Sequence, residues 1–424
     1  MKKVLLISYY FHDQKAIGAV RVRGLEKFLP RFGWKPYILT TGLNPEYPNN
    51  MQTKIFNAST ETTFMKLKEM LGMKNERSLK EQLNISNQKN KKTCLYYLFK
   101  AWAEIFTYPC AKYNWHDPAV ELGKEIVKSE SLDAMISSFG PPTCNLIAKD
   151  INEIYGLPWI ADFRDLWTQN HYYQFSCFRR FFERRLELRT LSNADALVTV
   201  SKPLSEKLQL LHPGKRIFTI PNGFDPAQIN PGFSLAKKFT ITYTGALYRG
   251  RRDPELLFRA LGNIISEGLM DANDLSVEFY GPKENWIKVD AERYGLNKQV
   301  KINGSISREA SIEKQRRAHL LLLLTWNHEE EKGVYTGKIF DYLAARRPIL
   351  SIGASDGVAE ELLRITDSGL HLSSQQDVEN AIMNAYYEYK SQNKVNYHGL
   401  SNEIYKFSQI EMARRFSEVL DEII

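Results

Sequence analysis

Phe239-Thr240-Ile241-Thr242-Tyr243-Thr244-Gly245-Ala246-Leu247-Tyr248-Arg249-Gly250-Arg251-Arg252-Asp253-Pro254 is the stretch that sets the fold class. Its first five residues are β-branched or aromatic and suit a strand. The run ends on Gly245, and helical spacing begins at about Pro254. A glycine at a strand end, a helix amino terminus and three arginines therefore share one loop. Unpaired N–H groups at a helix start and the fork of an arginine both suit phosphate oxygens, so Gly245, Arg249 and Arg252 are candidate anion-binding residues. A solvated basic loop is the alternative reading of the same residues.

The strand-to-helix alternation extends both ways from this point. Downstream, apolar runs at Ser276–Tyr280, Val300–Ile302, Leu320–Leu324, Ile349–Ile352 and Leu370–Leu372 alternate with helical patterns at 254–267, 308–319, 336–345 and 358–364, and a helix closes the chain near 409–423. Upstream, Val4–Ile7, Tyr37–Thr40, Ala134–Ser137, Trp159–Ala161, Ala196–Val200 and Ile217–Ile220 alternate with helical spacing at 19–32, 119–128 and 203–211. Runs that are continuously apolar predict strands covered on both faces, hence parallel sheets with crossover helices. The turn-rich segment from Pro221 to Pro231 predicts a hinge between domains 1–226 and 227–424. The expected architecture is α/β: two doubly wound, Rossmann-like domains facing across a cleft, with ligands beyond the carboxyl ends of the strands.

Composition agrees with an enzyme of this kind. The 424 residues are 43% hydrophobic and 25% charged, which excludes disordered, collagenous and disulfide-scaffold classes. A net charge of +8 fits nucleic acid, an anionic membrane surface or phosphorylated substrates without choosing among them. The four cysteines, Cys94, Cys110, Cys144 and Cys177, have no metal-ligand spacing and read as free thiols of a reducing cytoplasm. The apolar start Val4–Ile7 is too short for a signal peptide, and no run is long enough to span a membrane. The histidines show no ligand spacing, so no metal is expected.

A second motif lies at Gly333-Val334-Tyr335-Thr336-Gly337-Lys338-Ile339-Phe340-Asp341-Tyr342-Leu343-Ala344-Ala345. Lys338 and Asp341 stand three apart, on one face near a helix start. The ammonium can neutralise phosphate and the carboxylate can accept from a ribose diol, or the two can form a surface ion pair.

Pro221-Asn222-Gly223-Phe224-Asp225, Tyr243-Thr244-Gly245 and Lys338-Ile339-Phe340-Asp341-Tyr342-Leu343-Ala344, in this order, resemble the retaining family-4 glycosyltransferases of the GT-B fold. Ser137-Ser138-Phe139-Gly140-Pro141-Pro142 and Ala161-Asp162-Phe163-Arg164-Asp165-Leu166-Trp167 bring the likeness closest to surface-polysaccharide enzymes, and it covers nearly the whole chain. The resemblance implies a second domain that binds a nucleotide-diphosphate sugar (a UDP- or GDP-sugar), with no cofactor and no metal. It implies a first domain that takes a glycan or lipid-linked acceptor, with hexosyl transfer in the cleft and retention of anomeric configuration. Lys338 and Asp341 match the family's basic residue and second, ribose-binding acid, and Arg252 falls where a diphosphate-binding lysine usually stands. Three departures are present: Asp341 replaces a glutamate, Gly333 occupies the first acid's place, and Ala246 replaces an arginine, for which Arg249 or Arg251 can substitute.

In the first domain the resemblance makes Gly18 and Arg21, in the loop and helix start after Val4–Ser8, candidates for approaching the sugar and diphosphate; an ordinary turn is the alternative. Aligned on Phe163, Arg164 replaces a family histidine that contacts the transferred sugar. Asp162, Arg164 and Asp165 are then the catalytic candidates, a carboxylate orienting the acceptor hydroxyl and Arg164 holding the carboxylates or the leaving phosphate, with a structural ion network as the alternative. A Lys-rich segment, Lys66 to Lys92, an aromatic run at Tyr96, Tyr97, Phe99, Trp102, Phe106 and Tyr108, and a Tyr/Phe/Arg cluster from Tyr172 to Arg189 suit an anionic bilayer, or else a solvated linker and a buried helix. The reading is a cytoplasmic, peripherally membrane-bound glycosyltransferase that does not bind nucleic acid. Its rivals are a sugar-nucleotide epimerase of similar shape, which needs an acid/base set not found here, and a non-enzymatic basic protein that binds membranes or nucleic acid.

Overall fold

The strand β8, Phe239–Thr244, is buried along its whole length and pairs in parallel with β9, Leu275–Tyr280, and with β11, Leu320–Leu324. The structure, a computed structural model, describes residues 1–13, 17–42, 53–59, 104, 107–173, 175–229, 232, 234–353 and 355–424. The chain divides into two units. One comprises Met1–Thr199, Ser205–Phe218 and Phe416–Ile424; the other comprises Val200–Leu204 and Thr219–Arg415. The turn-rich segment from Pro221 to Pro231 lies within the second unit.

Among the described residues the first unit holds a seven-stranded sheet in the order β3-β2-β1-β4-β5-β6-β7. Its strands are β1 (Lys2–Ile7), β2 (Trp34–Thr40), β3 (Lys54–Asn57), β4 (Ala134–Ser138), β5 (Trp159–Phe163), β6 (Ala196–Thr199) and β7 (Ile217–Thr219). Helices α1 (Ile17–Phe28), α2 (His116–Glu130), α3 (Thr143–Tyr155), α4 (Cys177–Leu191) and α5 (Lys202–Leu211) accompany them. The second sheet has six strands in the order β10-β9-β8-β11-β12-β13, with β10 Val300–Ile302, β12 Ile349–Ile352 and β13 Gly369–Leu372. Its helices are α6 (Glu255–Ser266), α7 (Asn285–Arg293), α8 (Arg308–Arg317), α9 (Lys338–Ala345), α10 (Val358–Thr366), α11 (Gln375–Gln392) and α12 (Ser401–Tyr405), and the last helix, α13 (Gln409–Ile423), belongs to the first unit from Phe416 on. Both orders are doubly wound, and the fold is two parallel-sheet α/β domains of the GT-B type.

Burial explains why the apolar runs become strands. All five leucines of β11 and residues Val4 to Ile7 of β1 are buried, as expected of strands with helices over both faces. The order reverses between β1 and β4 in the first sheet and between β8 and β11 in the second. These are the topological switch points, where the carboxyl ends of neighbouring strands part and a ligand can enter.

Some elements escaped the sequence reading. The edge strand β3 has only Ile55 and Phe56 as apolar residues and is not fully buried anywhere. Helix α11 opens on two glutamines, and its start is marked by Ser374, which accepts from the Asp377 N–H. The predicted helix at 19–32 ends at Phe28 and tightens into a 3-10 turn over Leu29–Phe32, where Pro30 removes a backbone donor.

Candidate functional site

In the second unit β8 ends at Thr244, and Gly245 follows with φ of +115°, a conformation that favours glycine. A Cβ at this position would lie 3.1 Å from the Lys338 Nζ. Gly245 thus lets the first residue of α9 lay its side chain across the end of β8. The Lys338 ammonium donates to the Tyr243 Oη at 2.5 Å and lies 3.8 Å from the centre of that ring, while the Tyr243 hydroxyl donates to the Ala246 carbonyl at 2.7 Å. One turn further along α9, Tyr342 is fully buried and its Oη accepts from the Thr244 N–H at 3.1 Å. Helix α9 and strand β8 are therefore pinned together at the switch point by two tyrosines and a lysine.

Asp341 is on the same helix. Its Oδ1 accepts from Arg308 of α8 at 2.6 Å, and its side chain retains 17% exposure. Arg308 was not singled out from the sequence. The nearest signal was its place in the first turn of a helix after β10, which a loop pattern alone does not connect to residue 341. Burial holds the Lys338 amine well below the ordinary lysine range, and the neighbouring Arg252 adds to this. Burial raises the Asp341 carboxyl, and Arg308 opposes that rise. Helix α9 has no side-chain cap at its start, where the Ile339 N–H donates to the Thr336 carbonyl at 3.0 Å, and the positive end of the helix dipole remains there.

The arginine loop is more engaged than its sequence suggests. Arg252 lies 3.6 Å from Glu331, with only 17% of its side chain exposed. Arg249 is 62% exposed and lies 3.7 Å from Asp290 of α7. Arg251 lies over the Trp326 ring at 4.5 Å. Gly333, at the expected place of the first acid, packs on Pro203 and Leu204, and its carbonyl accepts from Ser201. A Cβ there would stand 3.0 Å from the Pro203 Cβ, so a glutamate would need that neighbour to shift. The buried acid of this loop is Glu331, two positions earlier, and it faces Arg252. A cavity of about 520 Å³ adjoins this loop beyond β11, β12 and β13, with Arg251, Lys332, Thr325 and Asn327 among its lining residues; Lys338 and Asp341 are not among them.

In the first unit Arg21 and Asp162 find each other. The guanidinium Nε and Nη2 donate to both carboxylate oxygens at 2.8 to 3.0 Å, and both side chains are essentially closed to solvent. Arg21 also lies 5.0 Å from the centre of the Phe416 ring. As placed, neither side chain faces solvent. For Asp162 the geometry is that of the structural ion pair, and for Arg21 it is that of a brace between α1 and β5.

Arg164 and Asp165, just past β5, remain accessible. Arg164 donates to Asp165 at 3.0 Å, with side chains 24% and 52% exposed. The Arg164 guanidinium lies against Gly18, where any Cβ would collide with it. Gly18 and Arg164, read from sequence as members of separate motifs, thus meet at the start of α1. Beneath them Phe163 stacks on Phe139 at 4.9 Å, fixing the end of β5 beside the end of β4.

Among the described residues no three His, Cys, Asp or Glu side chains converge as metal ligands would, and no helix is long and apolar enough to cross a membrane. The segment from Lys66 to Lys92 and residues Tyr96, Tyr97, Phe99, Trp102 and Phe106 lie outside the described residues, as does Cys94. Cys110, Cys144 and Cys177 are free thiols.

No family model matches the sequence, and no curated protein matches it. Solved structures do match in fold. Sucrose-phosphate synthase from Thermosynechococcus elongatus is similar over 100% of this chain and 99% of its own, with a TM-score of 0.61 at 14% identity. The Anabaena protein HepE, crystallised with UDP and glucose, is similar over the whole of both chains, with a TM-score of 0.62 at 12% identity. A glycosyltransferase from Rickettsia africae covers 100% of this chain and 98% of its own, with a TM-score of 0.59 at 14% identity.

Proposed function

We propose that the protein is a glycosyltransferase that moves a hexosyl group from a UDP- or GDP-sugar to a hydroxyl of a lipid-linked glycan at a membrane surface, without a metal and with retention of anomeric configuration. The observation that carries this reading is the meeting of Lys338, Gly245 and the Arg308–Asp341 pair at the switch point of the second sheet. A nucleoside diphosphate needs cationic and N–H donors for its phosphates and an acceptor for its ribose, and all three are within reach there. The fold likeness to HepE, which holds UDP and glucose, supports the same choice of donor.

In the reaction the bond between the anomeric carbon and the phosphate oxygen breaks while the acceptor oxygen bonds that carbon on the same face. The acceptor's proton passes to the departing diphosphate. Lys338 and the positive end of the α9 dipole stabilise the negative charge that grows on the phosphate, and Asp341 accepts from the ribose through the oxygen that Arg308 does not hold. In the first unit Asp165 orients the acceptor hydroxyl and Arg164 fixes Asp165. As a guanidinium, which has donors and no acceptor, Arg164 gives charge and geometry but does not act as a base near neutral pH. Asp162 and Arg21 keep the strand and helix that carry these groups in register.

Thermal-shift measurement against UDP-, GDP-, ADP- and CMP-sugars tests the donor. A ligand at a hundred times its dissociation constant stabilises by about 2.7 kcal/mol, which a melting curve resolves. Stabilisation by none of them refutes the reading, and interconversion of donor sugars without any acceptor favours the epimerase.

A further inference from the structure

Helix α4, Cys177–Leu191, is inside out. A helix on a soluble protein normally buries its apolar stripe and exposes its charges. Here the buried positions are Arg179, Glu183, Glu187, Thr190 and Leu191, and the exposed ones include Phe178 at 72%, Phe181 at 50%, Phe182 at 42% and Leu188 at 40%. The inward face is held by polar bonds. Arg179 donates to Glu183 at 2.5 Å and to the carbonyl oxygens of Glu104 and Thr107 at 2.8 and 3.0 Å. Glu183 accepts from the Trp167 indole at 3.2 Å, and Glu187 accepts from the Thr168 N–H at 3.1 Å. Those bonds fix the rotation of the helix and leave its phenylalanines facing solvent.

The exposed rings are one patch. Phe178 and Phe182 lie 4.9 Å apart, and Phe181 and Phe182 5.6 Å. Single exposed apolar residues are ordinary, but a contiguous aromatic patch marks an interaction surface. Its chemistry narrows the partner. Positions 178, 181, 182, 185 and 189 follow the i, i+3, i+4, i+7, i+11 spacing of one helical stripe, so Arg185 and Arg189 stand among the rings. Arg180 and Arg184 are exposed beside them, and the helix's only acids are the two that are buried. Arg185 lies 4.3 Å from the centre of the Phe181 ring. Two copies of such a face would set arginine against arginine with no carboxylate between them. An anionic bilayer takes both features at once, with rings below the headgroups and guanidinium forks on the lipid phosphates.

We propose that the exposed face of α4 docks the protein on an anionic lipid bilayer, with Phe178, Phe181 and Phe182 inserted and Arg180, Arg184, Arg185 and Arg189 at headgroup level. This names the surface through which the proposed transferase reaches a lipid-linked acceptor and rests on that reading for its purpose only, because vesicle binding is measured without donor or acceptor.

The test is sedimentation of the full chain with phosphatidylcholine vesicles and with vesicles that also contain phosphatidylglycerol. Three proteins are compared: the unaltered chain, the triple variant Phe178→Ser, Phe181→Ser, Phe182→Ser, and the double variant Arg185→Gln, Arg189→Gln. Binding is expected only with phosphatidylglycerol, weakening as salt rises, with at least a tenfold loss of partitioning in each variant and unchanged nucleotide binding in solution. Both variants alter exposed side chains, and circular dichroism verifies their fold. If both variants partition as the unaltered chain does, the membrane contact lies elsewhere and the proposal falls. It falls equally if no vesicle binds at low salt, or if light scattering finds a dimer that the triple variant abolishes, which makes the face a self-association surface. Failure here with nucleotide-sugar stabilisation intact rejects the docking face and leaves the transferase.

Discussion

Lys338→Met separates the donor site from the fold. Methionine keeps the unbranched stem that crosses the Tyr243 ring and removes only the ammonium, which lies 3.8 Å from the ring centre. The ammonium has three N–H donors, and one of them is used on the Tyr243 Oη. Two remain for a diphosphate. Tyr243 keeps its own bond to the Ala246 carbonyl, so the substitution leaves no buried donor unpaired. The free protein therefore has little to lose, and it sheds both the burial of a cation and its proximity to Arg252. The melting temperature is expected to hold or rise. Donor binding is expected to weaken by about 1.5–3 kcal/mol, the worth of a charge-assisted bond, or roughly ten- to a hundred-fold.

Proton linkage gives the same experiment a second, independent readout. In the free protein the Lys338 amine sits well below its ordinary range, and a bound diphosphate raises it again by supplying opposite charge. Binding then takes up a proton, so affinity falls as pH rises from the depressed value toward the restored one. Folding has the opposite sign. The unfolded chain, with its lysines near about 10.4, binds the proton more tightly, so this group's contribution to stability grows as pH rises toward that value. Calorimetry of UDP and GDP binding in buffers of different ionisation enthalpy reads the uptake directly. The reasoning is refuted if Lys338→Met binds as the unaltered protein does, or if its buffer dependence persists. A large drop in melting temperature would instead make Lys338 a residue of the fold.

The remaining predictions concern the other charged groups. Asp341→Asn is expected to weaken nucleoside diphosphate binding about tenfold while leaving inorganic pyrophosphate unaffected, because its proposed partner is the ribose; equal losses for both in a titration reject that role. Arg21→Met strands the buried Asp162 carboxylate and is expected to cost about 3–5 kcal/mol in urea unfolding; a change under about 1 kcal/mol means that the carboxylate is not confined. Arg164→Ala and Asp165→Asn are expected to lower turnover by one to several orders of magnitude with donor affinity unchanged, the mark of interactions made mainly in the transition state, and near-normal turnover in both reduces the pair to surface charge. Proton NMR of the product is expected to show the donor's anomeric configuration, and inversion overturns the proposed chemistry whatever the variants do.

What could be read from the sequence was whatever is local. A strand such as Leu320–Leu324 is buried on both faces, so its five leucines carry their own signal, and the Gly245 turn and the α9 start are legible for the same reason. Pairings across the sheet have no such signal. Arg308 and Asp341 lie 33 positions apart, and Arg21 and Asp162 lie 141 apart. Each pair joins two elements whose adjacency comes from the strand order, not from spacing along the chain. That is why Asp162, in a segment crowded with charge, looked like a member of a site, although the structure closes it with a partner from α1. The inverted helix α4 carries the same lesson in the other direction. Its wheel of phenylalanines and arginines suits either a buried helix or a membrane face, and only the polar bonds that Arg179, Glu183 and Glu187 make inside the first unit decide which side looks out. Where charges are buried and rings exposed, the helix's orientation is set by hydrogen-bond satisfaction, because leaving Arg179 or the two glutamates unpaired in the interior would cost more than exposing the rings.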